Sequence, residues 1–139
     1  MKQIFILFSI AATLAFSCKA SKETMNADTS LYDTKWSLKK IYNGDQSEAV
    51  ATKAFIRFDK EKGSAGGNGS CNGFGSSFTV DKDQVSFKNV FSTKMYCEAV
   101  QRVENKFFNG LQNANRFEVK DKSLFLYHDK QLILEFSAE

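Results

Sequence analysis

The sequence predicts a mainly β (α+β) domain: a small antiparallel, barrel-like sheet of about eight strands with one amphipathic helix. Three observations lead there. From Lys35 onward apolar residues recur with period two, the signature of strands with one buried face. Turn-forming clusters break the alternation at short intervals, so neighbouring strands pair as antiparallel hairpins. A single segment switches to helical spacing, and no repeated strand–helix alternation occurs, which argues against a parallel α/β sheet. Antiparallel strands in such number can close on themselves and remove their edges.

The elements follow in order. "KWSLKKIY" places Trp36, Leu38 and Tyr42 on one face, with Lys40 as the exception. "AFIRFD" does the same with Ala54, Ile56 and Phe58, and "FGSSFTV" with Phe74, Phe78 and Val80. "QVSFKNV" supplies Val85 and Phe87. Towards the end come Phe117 and Val119, then Leu124 and Leu126, then Leu132, Leu134 and Phe136. Turns are expected at Asn43-Gly44-Asp45, Lys60 to Gly63, Asp81-Lys82-Asp83, Asp121-Lys122 and His128-Asp129-Lys130. The helical segment is "CEAVQRVENKFFNGLQN". Val100, Val103, Phe107 and Leu111 form its apolar stripe, and Gln101, Arg102, Asn105 and Lys106 its polar side. Glu98 is expected in the first turn, where the helix dipole favours an acid, paired with Arg102. Gly110 and the Asn113-Ala114-Asn115 stretch read as stop signals.

The N-terminus stands apart from the fold. "MKQIFILFSIAATLAFSC" has a basic start at Lys2, an apolar run from Ile4 to Phe16, and a small residue before Cys18. That is the layout of a secretory signal peptide over residues 1–17, and the run is shorter than a transmembrane helix needs. A cysteine at the cut resembles a bacterial lipobox, so Cys18 is the expected lipidation site. Residues 18–33, rich in Lys, Ser, Thr, Asp and Asn, read as a lipidated N-terminus and flexible tether, and residues 34–139 as the domain. The expected membrane partner is reached through that lipid. Lys19 stands where an acidic retention signal would hold a lipoprotein at the inner membrane, which points to the outer membrane of a bacterium.

Cys71 and Cys97 remain, and an export signal with an even remainder argues for a disulfide between them. Two separated cysteines and the single His128 make a poor metal set. A formal charge of +3, with lysines scattered among acids, argues against nucleic acid as a partner. Six of the eight glycines fall in "GSAGGNGSCNGFGSSF" at 63–78. No Gly-Lys-Ser/Thr follows, and Asn72 stands where a dinucleotide fingerprint needs its third glycine. The glycines are therefore read as bends and close approaches of strands, with Asn72 satisfying turn backbone groups. The carboxylates lie in turns and on the polar helix face, where solvation is their ordinary role. No cofactor and no catalytic set are expected.

The residues carry a family likeness. Trp36-x-Leu38 opens it, followed by "FIRF", by Ser70-Cys71-Asn72-Gly73, by Thr93-Lys94-Met95-Tyr96-Cys97, and by a helix with Glu104 and Leu111. Over residues 34–137 this pattern resembles the META domain, the family of the HslJ-like heat-shock lipoproteins. The resemblance implies a small antiparallel β-domain with one helix, an envelope location, often a lipid anchor, and a paired cysteine. It marks Trp36, Ser70, Cys71, Asn72, Gly73, Thr93, Met95 and Cys97 as motif residues. Members of the family are linked to heat shock, motility and antibiotic tolerance, without an established enzymatic activity. The expected function is a non-enzymatic envelope lipoprotein acting as a binding or stress-protective module. Two alternatives are a barrel carrying a small apolar ligand among its inward Phe and Leu residues, and a protein–protein module docking through Phe55, Tyr96 or Phe125.

Overall fold

The computed structural model describes residues 29–139. The expected signal peptide, Cys18 and the tether as far as residue 28 lie outside the described residues. The elements run β1 (Trp36–Asn43), β2 (Gln46–Ala49), β3 (Phe55–Asp59), β4 (Ser64–Asn68), β5 (Gly73–Asp81), β6 (Gln84–Ser92), α1 (Gln101–Asn113), β7 (Arg116–Lys120), β8 (Ser123–His128) and β9 (Gln131–Ala138). The nine strands form one antiparallel sheet in the order β2-β1-β3-β4-β5-β6-β7-β8-β9. β9 also pairs with β1, Trp36 opposite Ala138 and Leu38 opposite Phe136, so the sheet closes in a ring. β2 stands outside that ring as a flap on the far half of β1.

Each expected turn is present, several with the left-handed backbone that a tight connection needs: Gly44, Gly63, Lys82, Asp121 and Asp129 all have positive φ. Two strands were not visible in the alternation. β2 is "QSEA", an edge strand with no core face, and β4 is "SAGGN", whose small residues carry almost no apolar signal. β4 needs that smallness, because a side-chain carbon on Gly67 would overlap the Phe55 carbonyl across the β3–β4 pair.

β1 departs from the expected face. Its register against β9 slips between Leu38 and Lys40, leaving Lys39 as an extra residue. A bulge of this kind inverts the alternation beyond it. Ile41 is therefore buried in place of Tyr42, and Tyr42 sits half-buried, its hydroxyl donating to Glu135 Oε2. The core also takes in a residue before position 34. Leu31 is buried, and its carbonyl accepts a hydrogen bond from Trp36 Nε1 at 2.9 Å.

Inside the ring Trp36, Ile56, Phe58, Leu124, Leu126, Leu134 and Phe136 are essentially inaccessible. α1 packs on β6 and β9 and contributes Phe107 and Leu111 to the same core. Phe107 meets Phe74 edge-on at 5.5 Å and Phe136 at 6.1 Å, a geometry that suits the ring quadrupoles. Gly110 lies inside the helix rather than ending it. A side-chain carbon there would come within 2.8 Å of Leu134, so the glycine lets the helix settle on β9.

The helix starts later than its apolar stripe suggested. Glu98 lies in a turn before α1, where Val100 and Gln101 N–H both donate to the Cys97 carbonyl. Arg102 is committed elsewhere, its guanidinium straddling Glu48 of β2, and Lys106 Nζ reaches the same carboxylate at 2.8 Å. The expected Glu98–Arg102 pair is thus replaced by a bridge from helix to flap.

Candidate functional site

Two places concentrate the polar chemistry of the described residues. The first is a buried hub joining the β4–β5 turn, the segment after β6, and α1. Glu104 is only 1% exposed, which corrects the expectation that every carboxylate is solvated. A buried carboxylate persists only when its oxygens are fully partnered. Glu104 Oε2 accepts from the backbone N–H groups of Cys71 (3.0 Å) and Asn72 (2.7 Å), and Oε1 accepts from Asn72 Nδ2 (2.6 Å). Asn72, itself buried, extends the network. Its Nδ2 also donates to the Met95 carbonyl, and its Oδ1 accepts from Thr93 Oγ1 (2.7 Å) and Met95 N (2.8 Å). Every hydrogen-bonding position of the Asn72 carboxamide is in use.

Cys71 and Cys97 form a disulfide across the same junction, closing a sequence separation of 26 residues. Gly73 joins through its carbonyl, which accepts from Thr93 N. Ser70 occupies a backbone conformation at φ 112° that L-residues rarely adopt. Its neighbours over-determine it: Ser70 N donates to Asn68 Oδ1, and the next two amides are clamped by Glu104. Gly69 completes the fit, since a side-chain carbon there would lie 2.5 Å from the Phe108 ring and 2.8 Å from Glu104 Oε2.

The motif residues Ser70, Cys71, Asn72, Gly73, Thr93, Met95 and Cys97 are therefore brought together, as one scaffold. The Asn72 side chain bonds both backbone groups of Met95, with Thr93 and Glu104, and none of the backbone groups of its own turn, which corrects the expectation. Trp36 stands apart in β1. Glu104 is the member that reading the carboxylates by type overlooked. The signal was present: with Val100, Phe107 and Leu111 it occupies one helical stripe, an acid on an otherwise apolar face. His128 lies exposed in the β8–β9 turn, with Nδ1 2.8 Å from the Asn113 carbonyl. Among the described residues no three His, Cys, Asp or Glu side chains converge to hold a metal.

The second place is an open cleft of about 520 Å³ between α1, the β1–β2 hairpin and β9. That volume is within the range of small-ligand sites. Its floor is Ile41, Ile133, Leu134 and Gly110; its walls are Asn105, Asn109 and Asn113 on the helix and Tyr42, Gln46 and Ser47 on the hairpin. Glu48 and Lys106 close it, already paired with each other. Arg102 and Lys106 hold the Glu48 carboxyl down at about 2. Beside the cleft, Glu135 bonds Tyr42 and Lys40 together and raises the pKa of both. Ile41 and Leu134 of the core reach the cleft floor, while the inward Phe side chains of the ring pack against one another.

The fold and these two sites define a class: a small, closed antiparallel β-domain, stapled at one end to a helix that borders an open polar cleft. The chain belongs to the META domain family, whose model matches residues 29–139. No curated protein matches it at a significant level. Among solved structures it is similar to a protein from Burkholderia xenovorans studied by NMR, with TM-score 0.67, 23% identity, and 78% of this chain and 83% of that one covered. It is also similar to a DUF4847 family protein from Bacteroides vulgatus, with TM-score 0.60, 16% identity, and 77% and 93% covered. At these identities the likeness concerns the fold alone.

Proposed function

We propose that the protein is a non-enzymatic cell-envelope lipoprotein that uses its META domain as a binding or stress-protective module, with the helix–hairpin cleft as its binding site. The observation that carries this reading is the cleft: a concave, polar-walled space left open beside a filled core. The hub supports a structural role for the motif, because Glu104 and Asn72 use their hydrogen-bonding atoms on backbone groups and on each other. The signal-peptide layout and Cys18 support lipid anchoring, and Lys19 supports the outer membrane.

Two measurements test the reading. Metabolic labelling with an alkyne-tagged palmitate should mark the full chain in a bacterial host and leave Cys18→Ser unmarked; an unlabelled native chain would remove the anchor. A photo-cross-linking residue placed at Asn109 in cells should yield adducts with an envelope component, and its silence would count against the cleft.

A second reading, docking to a protein partner, is favoured by one observation. The large exposed apolar side chains Phe91, Met95 and Tyr96 all lie on the six-residue segment 91–96. Phe55 and Phe125, the other residues expected on such a surface, are half-buried. Cross-linking from Tyr96 in place of Asn109 would favour this reading.

A further inference from the structure

The chemistry of the cleft is specific enough to name a ligand class, on the reading that the cleft is a binding site. Its helical wall is a stripe of three asparagines, Asn105, Asn109 and Asn113, each four residues from the next. Asparagine is a poor helix former, and these three are exposed and absent from the core. Besides Gly110, which the packing on Leu134 explains, local preference is broken at these three positions, all of which line the cleft. Such a break without a packing return is expected where a surface serves function.

The stripe is also ordered. Asn105 Oδ1 accepts from Gln101 Nε2, and Asn113 Nδ2 donates to the carbonyl and the side chain of Asn109. These i,i+4 bonds orient the carboxamides, and each retains donor or acceptor capacity towards the cleft. The stripe runs from Asn105 to Asn113, about 12 Å along the helix axis, longer than a single sugar ring. Gln46 and Ser47 face it with further neutral polar groups.

Charge narrows the choice. Lys106 and Arg102 share the one Glu48 carboxylate at the cleft end, so each cation already has its partner there, with a net charge of +1 left over. A phosphate or carboxylate ligand would find no uncommitted cation among them. A fatty chain would meet apolar surface on the floor and carboxamides on both sides. An extended peptide takes its affinity from a main-chain ladder on a free strand edge. β2 offers such an edge, its outer side unpaired in the sheet order of the described residues, so a neutral peptide is the rival occupant that the probes below separate from a sugar. What remains is a neutral ligand with hydroxyl or amide groups along its rim and an apolar face beneath.

We propose that the cleft between α1 and the β1–β2 hairpin binds a neutral oligosaccharide, its hydroxyls paired with Asn105, Asn109 and Asn113 and one ring face lying over the half-buried Ile133. A carboxamide offers a donor and an acceptor side by side, which matches adjacent hydroxyls on a sugar.

The test uses the chain from Cys18 onward, carrying Cys18→Ser to keep it in solution, with its disulfide intact and labelled with ¹⁵N. Cellotetraose and chitotetraose are the sugar probes. One of them is expected to shift the side-chain amide signals of Asn109 and Asn113 saturably. Asn109→Ala combined with Asn113→Ala should weaken binding at least tenfold, while the melting temperature stays level or rises because alanine is the better helix former. A purely structural stripe would give the opposite pattern in stability.

Absence of any shift with either sugar at about 10 mM, above the millimolar limit of weak specific binding, overturns the proposal. Equal affinity in the double variant overturns it as well. A capped neutral tetrapeptide or laurate moving the same signals would overturn the sugar and leave the binding module standing. Silence towards all the probes would remove the cleft as a binding site, and the proposed binding function with it.

Discussion

Replacing Glu104 by glutamine tests whether the buried hub, more than local strand or helix preference, holds the helix on the ring. The isostere keeps the shape and removes one acceptor. If its oxygen stays with the Cys71 and Asn72 amides, its NH2 meets Asn72 Nδ2, a donor against a donor. Rotating the Asn72 carboxamide does not help, because its Oδ1 already accepts from Met95 N and its Nδ2 donates to the Met95 carbonyl. At least one hydrogen bond to a charged group is lost, worth about 1.5–3 kcal/mol, and the two that remain fall to neutral strength. A loss of about 3 kcal/mol is expected, a large share of the roughly 5–15 kcal/mol that stabilises a small domain. Urea denaturation of the oxidised protein should show the midpoint falling by about 1–2 M. Asn72→Asp alone should also be damaging, since it sets a second carboxylate against Glu104. The double variant Glu104→Gln with Asn72→Asp restores a donor opposite an acceptor, and should recover about 1–2 kcal/mol relative to the sum of the singles. A Glu104→Gln loss below about 1 kcal/mol, or a strictly additive double variant, would refute the reasoning.

Three further outcomes follow from the structure. Cys71→Ser with Cys97→Ser should cost about 3.5 kcal/mol by the chain-entropy estimate for a 26-residue separation, read as the difference in unfolding free energy between the variant and the oxidised chain. Glu48 is held at about 2 by Arg102 and Lys106, below its ordinary 4.5. A depressed carboxyl contributes stability that is present above about 4.5 and is lost as pH falls through about 2. The Glu48 carboxyl carbon, followed by NMR, should therefore titrate near 2 and return towards 4.5 in Arg102→Ala with Lys106→Ala. Gly69→Ala should push the turn off α1, costing about 1–3 kcal/mol as overpacking does. Thermal melting checks it, and an unchanged midpoint would show that Phe108 gives way freely.

Much of the ring was legible because a closed antiparallel sheet buries alternate residues, and Ile56-Phe58, Leu124-Leu126 and Leu134-Phe136 write that alternation directly. The turns were legible for a related reason, since Asn43-Gly44 and Asp121-Lys122 occupy positions where few residues fit. The β1 bulge was not: one additional lysine changes the face of everything after it, and Lys39 and Lys40 look alike in sequence. Nor were β2 and β4, one without a buried face and one without bulk. At the hub the motif residues were recognisable by type and order, whereas their convergence on Glu104 depends on how α1 lands against the 69–72 turn. In sequence Asn105 reads as polar helix face and Asn113 as part of the stop signal, and neither was joined with Asn109 into a stripe. Only the hairpin wall opposite makes it one side of a cleft.

The β1–β9 pairing carries a consequence for how the chain is made. Trp36 needs Ala138 opposite it, and Glu139 N donates to the Lys35 carbonyl, so the first and last strands of the described domain complete each other. Loop closure over so many residues is slow, and the contacts that offset it arrive together with the last strand. A ribosome still holding β9 holds the ring open. β9 must be free before the core can shut, which suits a protein proposed to cross a membrane as an unfolded thread and to fold on the other side.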